Sequence, residues 1–238
     1  MEKTKHKHKH KMALLREITK LFRKYKCVIS SLCKPIKDEI PIVGAPVTGD
    51  VLLKEPMDNN YAVLNRGLRI TPMLLIEGYF KSALQLLRRI TKCGKVGDID
   101  SIIYPVLFLF RHYIELIMKD SIQNFRKYNL EIDASSTGVP MSHRLDELWN
   151  ILKSYLDTAE EQETLTAVSE IISEISTIDS NSEAFRYAYH PERGNDRIQP
   201  FFDGQLPVDL NNLEKMMCKV YCFFDGIHSL SLECGNAE

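Results

Sequence analysis

Four basic or acidic side chains precede the terminal Asp120 in the largely apolar stretch 108–120, FLFRHYIELIMKD. They are Arg111, His112, Glu115 and Lys119. On an α-helix, which turns by about 100° per residue, all four fall within one sector. We call them the charged stripe. Because arginine matches the oxygens of a phosphate and a histidine near neutral pH can transfer a proton, the stripe is a candidate site for phosphate binding and proton transfer.

The charged stripe also has a purely structural explanation. Arg111 and Glu115 are one helical turn apart, as are Glu115 and Lys119, so each couple can form an ion pair within the helix. Apolar residues cover nearly all of the remaining circumference, which requires neighbouring helices on most sides. The stripe therefore lines either a narrow exposed strip or a polar seam between helices, where unpaired charge would be costly.

Few other histidines can meet the stripe. His6, His8 and His10 lie in a basic tail, which leaves His112, His143, His190 and His228. His190 follows Arg186 within 179–207, a long irregular segment of a kind that is uncommon in a compact domain unless it is functional. If residues 179–197 fold over the stripe, Arg186 and His190 complete a basic pocket beside Glu115.

This pocket defines the predicted site residues. The predicted catalytic residues are Arg111, His112, Glu115 and His190. The predicted phosphate-binding residues are Arg186, Lys119 and His143. For His143 and His190, a structural hydrogen-bonding role is the alternative.

The amino-terminal region differs from the rest in charge. Residues 1–26 hold ten Lys and Arg and two acidic residues, a balance of +8, so the remainder carries −9 of the total of −1. Residues 1–11, MEKTKHKHKHK, have the composition of a disordered basic tail that contacts nucleic acid or an anionic surface weakly. Its histidines could bind a transition metal, but the neighbouring ammonium groups oppose a divalent cation. The mildly acidic body argues against a large nucleic-acid face and leaves room for a small basic pocket.

Periodicity predicts an all-α fold with an amino-terminal extension. Residues 1–58 comprise the tail, a basic amphipathic helix at 12–32 and a proline-punctuated arm at 34–58. The amphipathic helix can lie on a membrane, on a partner or on its own domain. Residues 59–234 form an antiparallel bundle of about five helices. The predicted helices span 72–91 (capped by Thr71), 99–127 (with Pro105 near its start), 143–156 (capped by Ser142), 159–177 and 209–231.

Several classes of protein are disfavoured by the sequence. The six cysteines include no CxxC pair, which favours reduced cytosolic thiols, and Cys218 and Cys222 are predicted to be buried helix residues. The apolar run 102–110 is far shorter than the ~20 residues that span a bilayer, and no signal-peptide core follows the basic start. Hydrolase and nucleotide-binding motifs such as GxSxG, HExxH and the P-loop are missing. We expect a cytoplasmic protein with no transmembrane segment, no metal and no cofactor.

The block YPVLFLFRHYIELIMK, residues 104–119, resembles the signature of a group of uncharacterised bacterial helical proteins. The signature combines Tyr-Pro, an aromatic-Arg-His and a Glu-Leu followed by Lys. The segments IEGYFKSALQLL, SHRLDELW and DSNSEAFRY resemble the other blocks of the group in the same order. The resemblance spans about residues 60–228, and it implies a helical fold rather than a particular function.

More distantly, the chain resembles the helical HEPN domains of prokaryotic defence and toxin systems. Many of these are metal-independent ribonucleases that act as dimers, so the resemblance implies RNA as a substrate or ligand. Their motif places four to six residues between an Arg and a His, whereas Arg111 and His112 are adjacent and three residues separate Arg186 from His190. A non-catalytic RNA- or nucleotide-binding domain is therefore also implied. The alternative function is a protein-interaction or regulatory module in which residues 1–58 contact a partner.

Overall fold

The computed structural model describes residues 45–53, 57–59, 61–65, 67, 71–93, 96–128, 142–156, 162–190 and 199–233. The chain divides into two compact units, Met1–Leu68 and Arg69–Glu238. The second unit contains the described helices: α1 (Thr71–Cys93), α2 (Val96–Tyr128), α3 (Leu145–Ser154), α4 (Gln162–Ile178) and α5 (Leu210–Glu233). Across the described ranges the β-structure is one isolated bridge between Tyr189 and Pro200. The predicted all-α class is confirmed.

The described part of the first unit has an irregular backbone. Residues 47–50 form a turn in which the Asp50 amide donates to the Val47 carbonyl at 3.1 Å and the Val47 amide donates to Asp50 Oδ2 at 2.8 Å. Gly49 supplies the left-handed conformation of this turn, with a φ of 101°. The predicted tail, the predicted amphipathic helix and the predicted loop at 129–141 lie outside the described residues.

Helix α2 is the central element of the second unit. It contacts α1, α3 and α5, while α1 also contacts α5 and α3 contacts α4. Its apolar side chains Ile114, Met118 and Ile122 are fully buried, and burying each contributes on the order of 1.5–3 kcal/mol. The apolar circumference predicted from the sequence therefore does require neighbours on most sides.

By length and composition alone, the Val96–Lys127 part of α2 could cross a membrane, and 44% of its apolar window is buried in the structure. The predicted run 102–110 thus lies inside a longer helix that passes this test, which core helices also pass. Contacts with three other helices are those of a core helix.

Two local predictions on the helices are wrong. Helix α2 begins at Val96, which puts Pro105 well inside the helix instead of near its start. Ser142 does not cap α3, because that helix begins at Leu145 after Arg144. Instead, Ser142 Oγ accepts the Arg144 amide at 3.1 Å and donates to Glu147 Oε2 at 2.6 Å. This turn holds residue 143 outside the helix, in contact with α2.

Candidate functional site

Arg111 lies at the centre of a buried ionic cluster, which we define as Arg111, Glu115, Lys119, His143 and Asp179. Its side chain is 1% exposed, and all three of its nitrogens have acceptors. Nη1 donates to Glu115 Oε2 at 3.1 Å, Nη2 to the His143 carbonyl at 2.7 Å and Nε to the Asp179 carbonyl at 3.2 Å. One guanidinium therefore joins α2 to the segment before α3 and to the segment after α4.

Glu115 receives hydrogen bonds on both carboxylate oxygens. Oε1 lies 2.8 Å from Lys119 Nζ and 2.8 Å from His143 Nδ1, while Oε2 contacts Arg111. Both predicted ion pairs of the stripe are thus confirmed. Burial raises the pKa of Glu115, but hydrogen bonds from Lys119 and His143 outweigh burial and leave it below its ordinary value. Glu115 is therefore ionised at neutral pH.

Asp179 supplies the second buried carboxylate of the cluster. Its Oδ1 accepts the amides of Glu183 at 2.6 Å and Ala184 at 3.0 Å, which fixes the turn after α4. Oδ2 lies 3.2 Å from Arg111 Nε. The hydrogen of Nε, however, is directed at the Asp179 carbonyl, so Oδ2 has no hydrogen bond from any described residue. The Arg111–Asp179 attraction is therefore ionic at this oxygen, and the directional bond goes to the backbone.

The charged stripe is thus a polar seam between elements, not an exposed strip. Sequence reasoning missed Asp179, although an acidic residue followed by Ser-Asn-Ser at a helix end is a turn signal. Two cations, Arg111 and Lys119, balance two carboxylates. Such a balance offsets much of the cost of burying the charges.

His143 is the exposed member of the cluster. Its side chain is 67% exposed, whereas the Glu115 side chain that it contacts is 2% exposed. Because the ionised Glu115 can only accept a hydrogen bond, the Nδ1–H of His143 donates to it. With Nδ1 donating, Nε2 is the ring nitrogen that remains to accept a proton. A histidine oriented in this way by a carboxylate can accept a proton from a ligand.

His112 belongs to the same region but not to the hydrogen-bonded cluster. Its ring meets the edge of Tyr79 at 4.5 Å between centroids and stacks with Phe108 at 5.8 Å. Burial lowers the pKa of His112, and attraction to Glu115 only partly opposes this effect. The ring is therefore neutral at pH 7, which suits a packing role as well as it suits the predicted catalytic one.

The predicted site residues Arg186 and His190 contact aromatic rings rather than the ionic cluster. The Arg186 guanidinium lies 5.7 Å from the Phe108 ring centroid and 5.1 Å from that of Tyr187. The His190 ring stacks on Phe201 at 3.8 Å, and its amide donates to the Gln199 carbonyl at 2.9 Å. Of the predicted segment 179–197, Asp179 does meet the charged stripe, through Arg111. Among the described residues, His190 makes no hydrogen bond or ion pair with a member of the ionic cluster.

A second histidine–carboxylate pair joins α2 to α5 and was not predicted. His228 Nε2 lies 2.6 Å from Asp120 Oδ2, which also accepts from Asn124 Nδ2 at 3.2 Å. Asn124 Nδ2 lies 3.3 Å from Ser231 Oγ, which donates to the His228 carbonyl at 2.7 Å. The side chain of His228 is only 3% exposed. In the sequence, only the one-turn spacings of Asp120 to Asn124 and of His228 to Ser231 could have indicated these hydrogen bonds.

Cysteines and metal ligands add little to this site. Cys218 and Cys222 form no disulfide, and they are half-buried where the sequence predicted burial. Within the described ranges, no group of three or more His, Cys, Asp or Glu is placed to hold a metal ion. The tail histidines lie outside these ranges.

Comparisons with protein-family models, with curated proteins and with solved structures found no match to this chain. The resemblance to the bacterial helical group and the more distant one to HEPN domains therefore stay predictions. The geometry of the ionic cluster is what bears on function.

Proposed function

We propose that this protein is an RNA-binding helical domain that cleaves RNA without a metal ion, with His143 as the proton-transfer group. One observation carries the proposal: a solvent-exposed histidine is held 2.8 Å from a buried, ionised carboxylate. An oriented imidazole with an accessible Nε2 is what general-base catalysis requires.

In the proposed reaction, Nε2 of His143 accepts the proton of a ribose 2′-hydroxyl. The resulting oxygen attacks the adjacent phosphorus, and the 5′-oxygen leaves and takes a proton from solvent. Lys119, whose side chain is 13% exposed, contributes positive charge near the phosphate. Arg111 acts as a positioning residue, since it is buried and its nitrogens are occupied by protein acceptors.

Incubation of RNA of mixed sequence with the full chain in EDTA tests this proposal. The wild-type protein cleaves the RNA, and His143→Ala lowers the rate by about 10²–10⁴-fold, the range for loss of a general base. Arg144→Ala is the matched control, because it removes the next exposed side chain, which pairs with Asp146 rather than with the cluster. Equal rates for the wild type and His143→Ala would refute the assigned role.

Gel retardation of the same RNA separates binding from cleavage. RNA that is retarded but left intact would identify the non-catalytic RNA-binding domain instead. If the RNA is neither cleaved nor retarded, both forms of the proposal fail.

A second candidate function is a protein-interaction module. Large apolar side chains in the described part of the arm are highly exposed, for example Leu52 at 96%, Leu53 at 80% and Met57 at 90%. Apolar side chains that are spread along an irregular segment can insert into a groove of another protein. Deleting residues 1–58 would abolish capture of that protein while leaving the circular dichroism of the helical unit intact. Unchanged capture would contradict this candidate.

A further inference from the structure

A cluster of aromatic rings around Arg186 is not used by the proposed reaction. We define this aromatic cluster as Tyr104, Phe108, Arg186 and Tyr187. The guanidinium of Arg186 lies over two of the rings, at 5.7 Å from Phe108 and 5.1 Å from Tyr187. Its Nε donates to the Ser182 carbonyl, which fixes the guanidinium in place. One cation therefore makes cation–π contacts with two aromatic rings.

The outer faces of this cluster are exposed. Tyr104 is 46% exposed and Tyr187 is 53% exposed, while Arg186 is itself a surface residue. Phe202 supports the cluster from one side, with its ring centroid 6.5 Å from that of Tyr104. The bond described for Arg186 uses Nε, so Nη1 and Nη2 have no hydrogen-bond partner among the described residues. A flat exposed ring thus lies beside a cation whose terminal donors are available.

The chemistry of these groups selects their ligand. An aromatic ring accepts the face of a nucleobase by stacking, and a neighbouring arginine can bind the phosphate of the same strand. Bases are accessible for stacking only when they are unpaired, because a duplex buries their faces. A peptide would also contact tyrosine rings, but it would lack a phosphate for Arg186.

The aromatic cluster is also close to the ionic cluster. Phe108 stacks with His112, one turn along α2, and Glu115 lies seven residues beyond Phe108, which corresponds to about 10 Å along the axis. A strand that stacks on Tyr187 would therefore have neighbouring phosphates near His143.

We propose that Tyr187 and Tyr104, together with Arg186, bind unpaired bases of single-stranded RNA next to the ionic cluster. This inference rests on the proposed function and names its substrate as single-stranded RNA. It predicts that single strands bind more tightly than duplexes of the same sequence.

Fluorescence anisotropy with end-labelled 2′-O-methyl RNA, which has no free 2′-hydroxyl to react, measures binding by the full chain. Tyr187→Ala is expected to weaken binding of the single strand by roughly tenfold or more, the loss of one stacked base. Tyr187→Phe keeps the ring and should bind as the wild type does. Tyr61→Ala is the matched control, because Tyr61 is 55% exposed and lies in the other unit. Circular dichroism checks that each variant is folded.

The possible outcomes distinguish failure of the aromatic base site from failure of the proposed RNA-cleaving function. If the wild type binds or cleaves RNA and Tyr187→Ala does so equally well, the aromatic cluster is not the base site, and the proposed function stands. Equal losses in Tyr187→Phe and Tyr187→Ala would also overturn stacking. The inference would also be overturned if Tyr187→Ala lost binding of a partner protein while its RNA binding stayed unchanged. If the wild type neither binds nor cleaves any RNA, the proposed function fails first and the inference fails with it.

Discussion

Two carboxylates of helix α2, Glu115 and Asp120, each pair with a histidine from another segment, and the two pairs have opposite exposure. In the pair of His143 and Glu115, the histidine side chain is 67% exposed and the carboxylate side chain is 2% exposed. In the pair of His228 and Asp120, the histidine side chain is 3% exposed and the carboxylate side chain is 19% exposed. The hydrogen-bond distances are similar, at 2.8 and 2.6 Å. The difference therefore lies in which partner a ligand can reach.

Exposure decides what each pair can do. A buried carboxylate that orients an exposed imidazole leaves a basic nitrogen accessible to a ligand. A buried imidazole cannot meet a ligand of any size, and its hydrogen bond instead joins α2 to α5. We expect the pair of His143 and Glu115 to act on a ligand and the pair of His228 and Asp120 to stabilise the fold. Variants at each position test this difference.

The largest expected effect on stability is at Arg111. Arg111→Ala leaves Glu115 and Asp179 buried without their shared cation, and the free energy of unfolding should fall by about 3–5 kcal/mol. Urea denaturation followed by circular dichroism measures this loss. In the Arg144→Ala control the change should be within experimental error, since Arg144 and Asp146 are both exposed. A loss below about 1 kcal/mol for Arg111→Ala, as for a surface pair, would contradict burial of the cluster.

The next effect concerns the buried pair. His228→Ala removes a hydrogen bond to a charged group and leaves a cavity between α2 and α5, so stability should fall by about 2–3 kcal/mol. Urea denaturation measures this loss of stability. The rate of RNA cleavage, measured at a temperature where His228→Ala is folded, should equal that of the wild type. Reduced cleavage by a fully folded His228→Ala protein would remove the distinction between the two pairs.

A smaller effect is expected in the pH dependence of stability. Burial lowers the pKa of His112, so the unfolded chain takes up this proton at a higher pH than the folded protein does. The stability due to the neutral ring is complete above the ordinary value of 6.5 and is lost as the pH falls from there through the lowered value. Between pH 7 and pH 5, the free energy of unfolding should therefore fall more steeply in the wild type than in His112→Gln. Parallel curves from urea titrations would contradict this prediction.

The smallest effect on stability is expected at His143. Its exposed ring buries little surface, so His143→Ala should lower the free energy of unfolding by less than about 1 kcal/mol. The Arg111 bond to residue 143 uses the backbone carbonyl and is retained in the variant. A loss as large as that of His228→Ala would make His143 a structural residue.

Much of the fold could be predicted from the sequence because its determinants are local. Apolar periodicity located the five helices, and one-turn spacing predicted that Glu115 pairs with Arg111 and Lys119. The contacts between distant segments were harder to predict. Asp179 and the carbonyl of residue 143 meet Arg111 through chain reversals that no local pattern specifies, and Ser142 was misjudged as a cap because the turn it forms uses the same hydroxyl chemistry. The pair of Asp120 and His228 joins residues 108 positions apart.

Histidine side-chain NMR during titration with single-stranded 2′-O-methyl RNA tests whether RNA reaches His143. His143→Ala and His228→Ala variants assign the two resonances. The His143 ring resonances should shift in a saturable way, while those of His228 stay in place. A shift at His228 with none at His143, or no shift at either ring at a concentration where RNA is bound, would contradict this prediction.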